Sequence, residues 1–368
     1  MSSPILGTVI HAIGGASAAA CYTPFQGVRR WCWESFWLVQ SVFAWLIVPL
    51  VIGWATVPQF FSILANAPSK AFWLAFVLGG IYGFGGMAFG YAIRNIGFSL
   101  TYTISISISA IIGMLAPPLF EGTLIEKFSQ PGSLVIITGM VIALIGVAFC
   151  GRAGFHKEKD LAARAPGTAN AGVATPKFNM ARGLALACFA GVLSAVFGIS
   201  LAIGQPIADM AAAAGAGHFQ GNAKQIVSTG GCFVVNFIWF LTVSIRQKTL
   251  KELVSTDGIS SLGLTSNFLF AALAGTLWAG QFFFYGIAHV HLDAAYQHIS
   301  WALHMMMLIF FSYIVGIIMK EWKGVSKTTF RLMVAGLVIL FLSFVTIGAG
   351  MKMGEPKKIE STAQHQSP

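Results

Sequence analysis

Residues 131–152 read PGSLVIITGMVIALIGVAFCGR, with no charged side chain before Arg152. A helix rises about 1.5 Å per residue, so about 20 apolar residues cover the ~30 Å hydrocarbon core of a bilayer. The stretch that follows, 153–180, is its opposite. There His156, Lys157, Glu158, Lys159, Asp160, Arg164 and Lys177 are scattered among Ala, Gly and Pro, a composition that reads as a flexible linker. One full span and the polar break after it set the unit by which the rest of the chain is parsed.

Further apolar runs lie near 4–24, 35–56, 72–93, 98–119, 181–204, 224–245, 264–288, 294–319 and 328–350, which makes ten spans, five on either side of the linker. The totals agree. Of 368 residues, 56% are hydrophobic and 9% charged, with a mean hydropathy of +0.77. A soluble domain carries about 25% charged residues. Too few polar side chains remain to cover a water-facing surface, and soluble enzyme folds are excluded. The expected class is an all-α polytopic membrane protein whose ten transmembrane helices form two inverted five-helix repeats. Its expected organisation is a first repeat over 1–152, a cytoplasmic linker over 153–180, a second repeat over 181–350 and a disordered polar tail over 351–368.

The inversion follows from the odd number of spans in each half, and inverted repeats are a common transporter design. Gly14-x-x-Ser17-Ala18 in span 1 recurs as Gly191-x-x-Ser194-Ala195 in span 6. Laying 78–105 on 273–300 matches Leu78/Leu273, Gly80/Gly275, Gly85/Gly280, Phe89/Phe284, Ile104/Ile299 and Ser105/Ser300. Charge sets the orientation. Sixteen of the 22 Lys and Arg fall in the odd-numbered connections, which the positive-inside rule places in the cytoplasm, with both termini on the outer side. The formal charge of +10 therefore points to the lipid bilayer as partner, not to nucleic acid. The first run contains His11, lacks a basic leader and continues as a full span, so it does not read as a cleaved signal. Five cysteines without CxxC or Cys/His spacing support neither a disulfide framework nor a metal site.

Polar groups inside hydrocarbon must meet partners or water, so they mark a pathway by default. Spans 8 and 9 are richest in them: Trp278-x-x-Gln281-Phe-Phe-Phe-Tyr285, then Tyr296-Gln297-His298-Ile299-Ser300-Trp301-Ala-Leu-His304. On helices Gln281 and Tyr285, Gln297 and Trp301, and Ser300 and His304 are i, i+4 neighbours. Aromatic rings beside amides suit a sugar, whose C–H face stacks while amides and hydroxyls take its OH groups; the alternative is ordinary interhelical packing. Thr101, Ser105 and Ser109 form one face of span 4 and read either as bonds back to their own helix or as a hydroxyl row on a cavity. The glycines of span 3 (Gly79, Gly80, Gly83, Gly85, Gly86, Gly90) read as close helix approach or as a helix opened beside substrate. His11 and His304 are the candidates for proton coupling, with Asp209, at an outer span end before Ala211–Ala214, as the acid. No HExxH and no closely spaced carboxylate pair is present, so an intramembrane enzyme is not expected.

At these residues the chain resembles the bacterial L-rhamnose–proton symporter family of the drug/metabolite transporter superfamily. The stretches that carry the likeness are His11-x-Ile13-Gly14 with Pro24-Phe25, Trp31-x-Trp33-Glu34, Arg94-x-x-Gly97-x-Ser99, Gln281-Phe-Phe-Phe-Tyr285, Ile299-Ser300-Trp301-x-Leu303-His304-Met305 and Lys320-Glu321-Trp322. Two departures stand out: the family pattern has an acid where this chain has Gln297, and asparagines where it has Gly86 and Ala88. The resemblance implies uptake of L-rhamnose, or a similar 6-deoxy sugar, by proton symport across the bacterial inner membrane, with the proton as coupling ion and no cofactor. Gln281, Tyr285, Tyr296, Gln297, Ser300, Trp301 and Trp278 are then expected to meet the sugar, with Ser105 opposite. An uncoupled facilitator or an exporter of another polar metabolite is the alternative.

Overall fold

The computed structural model describes residues 3–164 and 179–353. Ten of its helices are long and apolar enough to cross a membrane: Pro4–Gly27, Trp33–Thr56, Ser69–Ile93, Leu100–Phe120, Ser133–Leu161, Met180–Ala213, Gly217–Gln247, Ser261–His291, Ala294–Ile318 and Lys327–Met353. They are spans 1 to 10 below. Among the described residues there is no β-strand.

Local chemistry starts and bends them. The Ser3 hydroxyl accepts the Leu6 N–H at 3.4 Å, and Pro4 follows where a missing donor costs nothing. Asn179 caps span 6 by accepting the Arg182 N–H at 3.0 Å. In span 2 a π-helical turn, Phe43–Ile47, comes just before Pro49. Pro49 cannot donate and its ring would crowd the carbonyl four residues back, and the widened turn absorbs both faults. Span 6 breaks at Gly204 into the short helix Gln205–Ala213, which carries Asp209.

Span 5 pairs with span 10 along its length, and the rest form a ring of contacts: span 3 on spans 6 and 7, span 8 on spans 1 and 2, span 6 on span 4, span 1 on span 9, span 4 on span 9 and span 2 on span 7. Replacing each span by the one five places along reproduces this set of neighbours. The Ser3 N–H donates to the His291 carbonyl at 3.0 Å, so the start of span 1 and the end of span 8 share one face, the terminal face. The break between spans 5 and 6 lies on the opposite, linker face.

One boundary differs from expectation. Span 5 does not stop at 152; its helix continues to Arg164. The charges read as a solvated linker are instead used. Lys157 Nζ lies 3.1 Å from Glu321 Oε2, and Asp160 Oδ2 accepts from the Ser326 N–H at 2.8 Å and the Thr329 hydroxyl at 2.7 Å. Both bind the turn between spans 9 and 10. The remainder of that stretch, 165–178, lies outside the described residues, as do 354–368 of the expected tail and the Arg94 side chain.

Candidate functional site

A cavity sits where spans 1, 2, 3, 4, 6, 8 and 9 converge. Ten aromatic rings line it: Tyr22, Trp37, Trp45, Tyr82, Phe89, Tyr102, Phe197, Trp278, Phe282 and Trp301. The polar groups on it are sparse and include Gln281, Ser105 and Ser194. Trp45 Nε1 is buried and has no partner. A buried donor left so costs about 1–3 kcal/mol.

Glycine makes this wall possible. A Cβ on Gly198 would stand 2.9 Å from the Trp301 ring, and one on Gly113 would collide with its other side, so Trp301 lies in a slot cut by two missing side chains. Its Nε1 donates to Ser109 Oγ at 3.1 Å, and Ser109 donates on to Ser194 Oγ at 2.9 Å. Trp278 meets Trp45 edge-on, with ring centroids 5.1 Å apart. Such a box, aromatic faces with few polar atoms between them, fits a molecule with one C–H face and a rim of hydroxyls.

Beside the cavity lies a buried imidazole pair. His11 Nδ1 is 3.4 Å from His304 Nδ1, and His11 Nε2 is 3.1 Å from Ser300 Oγ. Between two facing ring nitrogens only one hydrogen fits, so a shift of tautomer moves a proton along the row. Both rings are fully buried, and Tyr285 packs on each, with centroids 5.7 Å from His11 and 5.4 Å from His304. A Cβ on Gly14 would stand 2.8 Å from His304 Cε1, so the close approach of the pair depends on that glycine.

Two smaller cavities flank the central one. A space toward the terminal face is lined by Gln205, Lys224, Gln225, Tyr285 and His289, and shares Phe282 with the central cavity. Another toward the linker face is lined by Trp33, Glu34 and Gly90, and shares Trp37 and Gly86 with the central cavity.

The expected residues separate accordingly. Trp278, Gln281, Trp301 and Ser105 line the central cavity. Ser300 belongs to the histidine row, and Tyr285 packs against that row from the terminal-face cavity. Tyr296 and Gln297 line none of the three. Span 9 opens with a 3-10 turn, Ala294–Ile299, and becomes α-helical only at Ser300, so Gln297 and Trp301 do not share a helix face. Asp293 fixes that turn by accepting the Ala295 N–H at 3.4 Å, and the Tyr296 hydroxyl donates to the Pro131 carbonyl. Asp209 is exposed at the terminal face, bonded to Gln205 Nε2 at 2.8 Å, away from the histidines. The hydroxyl row of span 4 divides: Thr101 bonds back to the Gly97 carbonyl at 2.8 Å, while Ser105 reaches across to the Ala187 carbonyl at 2.7 Å. Sequence reasoning passed over Trp37, Trp45, Tyr82, Tyr102 and Phe197. The signal available for the first two was a Gln and two Trp within ten residues of span 2.

Comparison with known proteins gives the same direction. A family model described as L-rhamnose-proton symport protein (RhaT) matches residues 1–353. The chain is 34% identical over 356 residues to the L-rhamnose-proton symporter of Pectobacterium atrosepticum, covering 95% of this chain and 99% of that one. It is 32% identical over 350 residues to the L-rhamnose-proton symporter of Yersinia pestis, covering 94% and 98%. The chain belongs to the L-rhamnose-proton symport protein family.

Proposed function

We propose that this chain is a secondary active transporter that takes up L-rhamnose, or a similar 6-deoxy sugar, together with a proton across the bacterial inner membrane. The sugar occupies the central cavity, stacked on Trp278 and Trp301, with Gln281, Ser105 and the free Trp45 Nε1 on its hydroxyls. His11 and His304 carry the proton. The observation that carries this reading is the adjacency of Ser300 and Trp301. The first is bonded to His11 at 3.1 Å and the second lines the cavity, so a ligand that shifts this turn of span 9 acts on the cavity wall and on the hydroxyl at the end of the imidazole row together. Two ligands that bias the same conformational equilibrium are coupled by necessity, each changing the other's affinity by the same factor.

The moving parts in this reading are two inverted five-span halves, residues 1–152 and 181–350. The exchangeable set of helix neighbours supports it, as does the placement of one small cavity toward each face. The termini lie in the periplasm and the break between spans 5 and 6 in the cytoplasm, as the Lys and Arg count requires. The uncoupled alternative rests on Gln297, and Gln297 lines neither the cavity nor the imidazole row.

Uptake of labelled L-rhamnose by cells carrying Trp301→Ala or Gln281→Ala tests the site. Removing a stacking ring or a hydrogen-bonding amide is worth about 1–3 kcal/mol, roughly ten- to a hundredfold in affinity. Wild-type uptake in both variants contradicts the assignment.

A further inference from the structure

Lys224 lies inside span 7 with 7% of its surface exposed. A buried ammonium is costly unless it is paired and hydrogen-bonded. Its Nζ rests 2.5 Å from Gln205 Oε1, and the same amide donates from Nε2 to Asp209 Oδ1 at 2.8 Å. Cation and carboxylate are therefore bridged by a neutral amide and do not form a direct ion pair. Asp209 faces the outside, while Lys224 faces the terminal-face cavity. Two more polar atoms of that cavity's lining are buried and lack partners: Gln225 Nε2, on a side chain 4% exposed, and His289 Nδ1. The His289 ring stacks on Tyr285 at 5.8 Å, and Tyr285 is in ring contact with both His304 and His11. His304 Nε2 is also buried without a partner.

We propose that Lys224 is a proton-transfer residue of the transporter and that the terminal-face cavity is the entrance of its proton path; this rests on the symport reading above. The ionisable groups facing Lys224 are Asp209 from span 6 and His289 and Tyr285 from span 8; spans 2 and 3, which also pack on span 7, add none to the cavity lining. Like charges a few ångströms apart in low dielectric oppose one another, so Lys224 and the imidazoles share one positive charge. In the transfer an Nζ–H bond breaks and leaves its electron pair on Nζ. An N–H bond forms at His289 Nδ1 on that nitrogen's lone pair, so the positive charge moves from the ammonium to the His289 imidazole, beside the Tyr285 ring that also touches His304 and His11. Lys224 then regains a proton from the outer water past Asp209 and Gln205.

The test uses full-length protein in liposomes, with wild type, Lys224→Gln, Lys224→Arg and Gln205→Glu. Exchange of labelled for unlabelled L-rhamnose at equal pH needs no net proton entry, whereas accumulation driven by a pH gradient needs one per cycle. The expected result is exchange within about twofold of wild type in Lys224→Gln, with accumulation down about tenfold or more. Arginine does not release its proton, so Lys224→Arg does not restore accumulation. In Gln205→Glu a carboxylate beside Nζ holds the ammonium in its charged form, so the pH profile of accumulation moves to higher pH. Restored accumulation in Lys224→Arg would show that only a fixed charge is needed and overturns the proposal. So does undiminished accumulation in Lys224→Gln. Where Lys224→Gln fails to reach the membrane, an unshifted profile in Gln205→Glu overturns it. Absence of gradient-driven accumulation in wild type would instead remove the symport reading itself.

Discussion

Trp301 lines the central cavity, next in sequence to the Ser300 that is bonded to His11. It is held by absence as much as by contact: Gly113 on one side, Gly198 on the other, and one hydrogen bond to Ser109 at 3.1 Å. Gly198→Ala places a methyl 2.9 Å from the ring. Overpacking of this kind costs about 1–3 kcal/mol, so the variant is expected to lower the melting temperature of the purified protein and to weaken L-rhamnose uptake together. A change in neither would mean the slot is looser than its geometry. The imidazole pair gives a different signature. His304→Gln keeps a buried polar side chain but not a titratable ring, so sugar exchange at equal pH is expected to survive while sugar-driven proton movement is lost. Loss of both would assign His304 to the sugar, not to the proton.

At the scale of elements, span 3 shows how one composition serves two purposes. Gly79 lies where a Cβ would collide with the Ser228 carbonyl, and a Cβ on Gly83 would stand 2.9 Å from Asn236 Nδ2. These are helix-approach glycines against span 7. Gly86 is different, because the nearest atom to its Cβ is Trp37 at 3.8 Å and it lines two of the cavities. Gly79→Ala is therefore expected to reduce the amount of folded protein recovered, as seen by size exclusion. Gly86→Ala is expected to leave recovery unchanged and to alter sugar affinity. Equal recovery for the two would contradict this division.

The same contrast explains what could be read from sequence. Each of the ten expected spans overlaps a spanning helix, because a 20-residue apolar run states its own length. Trp278, Gln281 and Trp301 were legible because large polar-tipped groups inside apolar runs are rare. Trp45 was not: the π turn at Phe43–Ile47 offsets the face on which it falls, and helical spacing cannot show that. Gln297 lies off the cavity lining for a related reason, since its i, i+4 relation to Trp301 exists only on a continuous α-helix and span 9 begins as a 3-10 turn. Residues 153–164 misled because the charges of Lys157 and Asp160 find their partners some 160 residues away, Lys157 on Glu321 and Asp160 on Ser326 and Thr329, a relation composition does not carry.

For the whole molecule, a central cavity has one smaller cavity toward each face, with Phe282 in the wall shared on one side and Trp37 and Gly86 in the wall shared on the other, among two sets of five helices whose neighbours interchange. In the proposed cycle the sugar occupies the central aromatic box, and the imidazole pair beside it, His11 and His304, carries the proton. The central claim is that sugar and proton cross together. The most direct measurement is external pH in a weakly buffered suspension of de-energised cells expressing the protein, on addition of L-rhamnose. The account predicts a rise in external pH, abolished by a protonophore and absent in Trp301→Ala. Saturable entry of labelled L-rhamnose with no change in pH would contradict it.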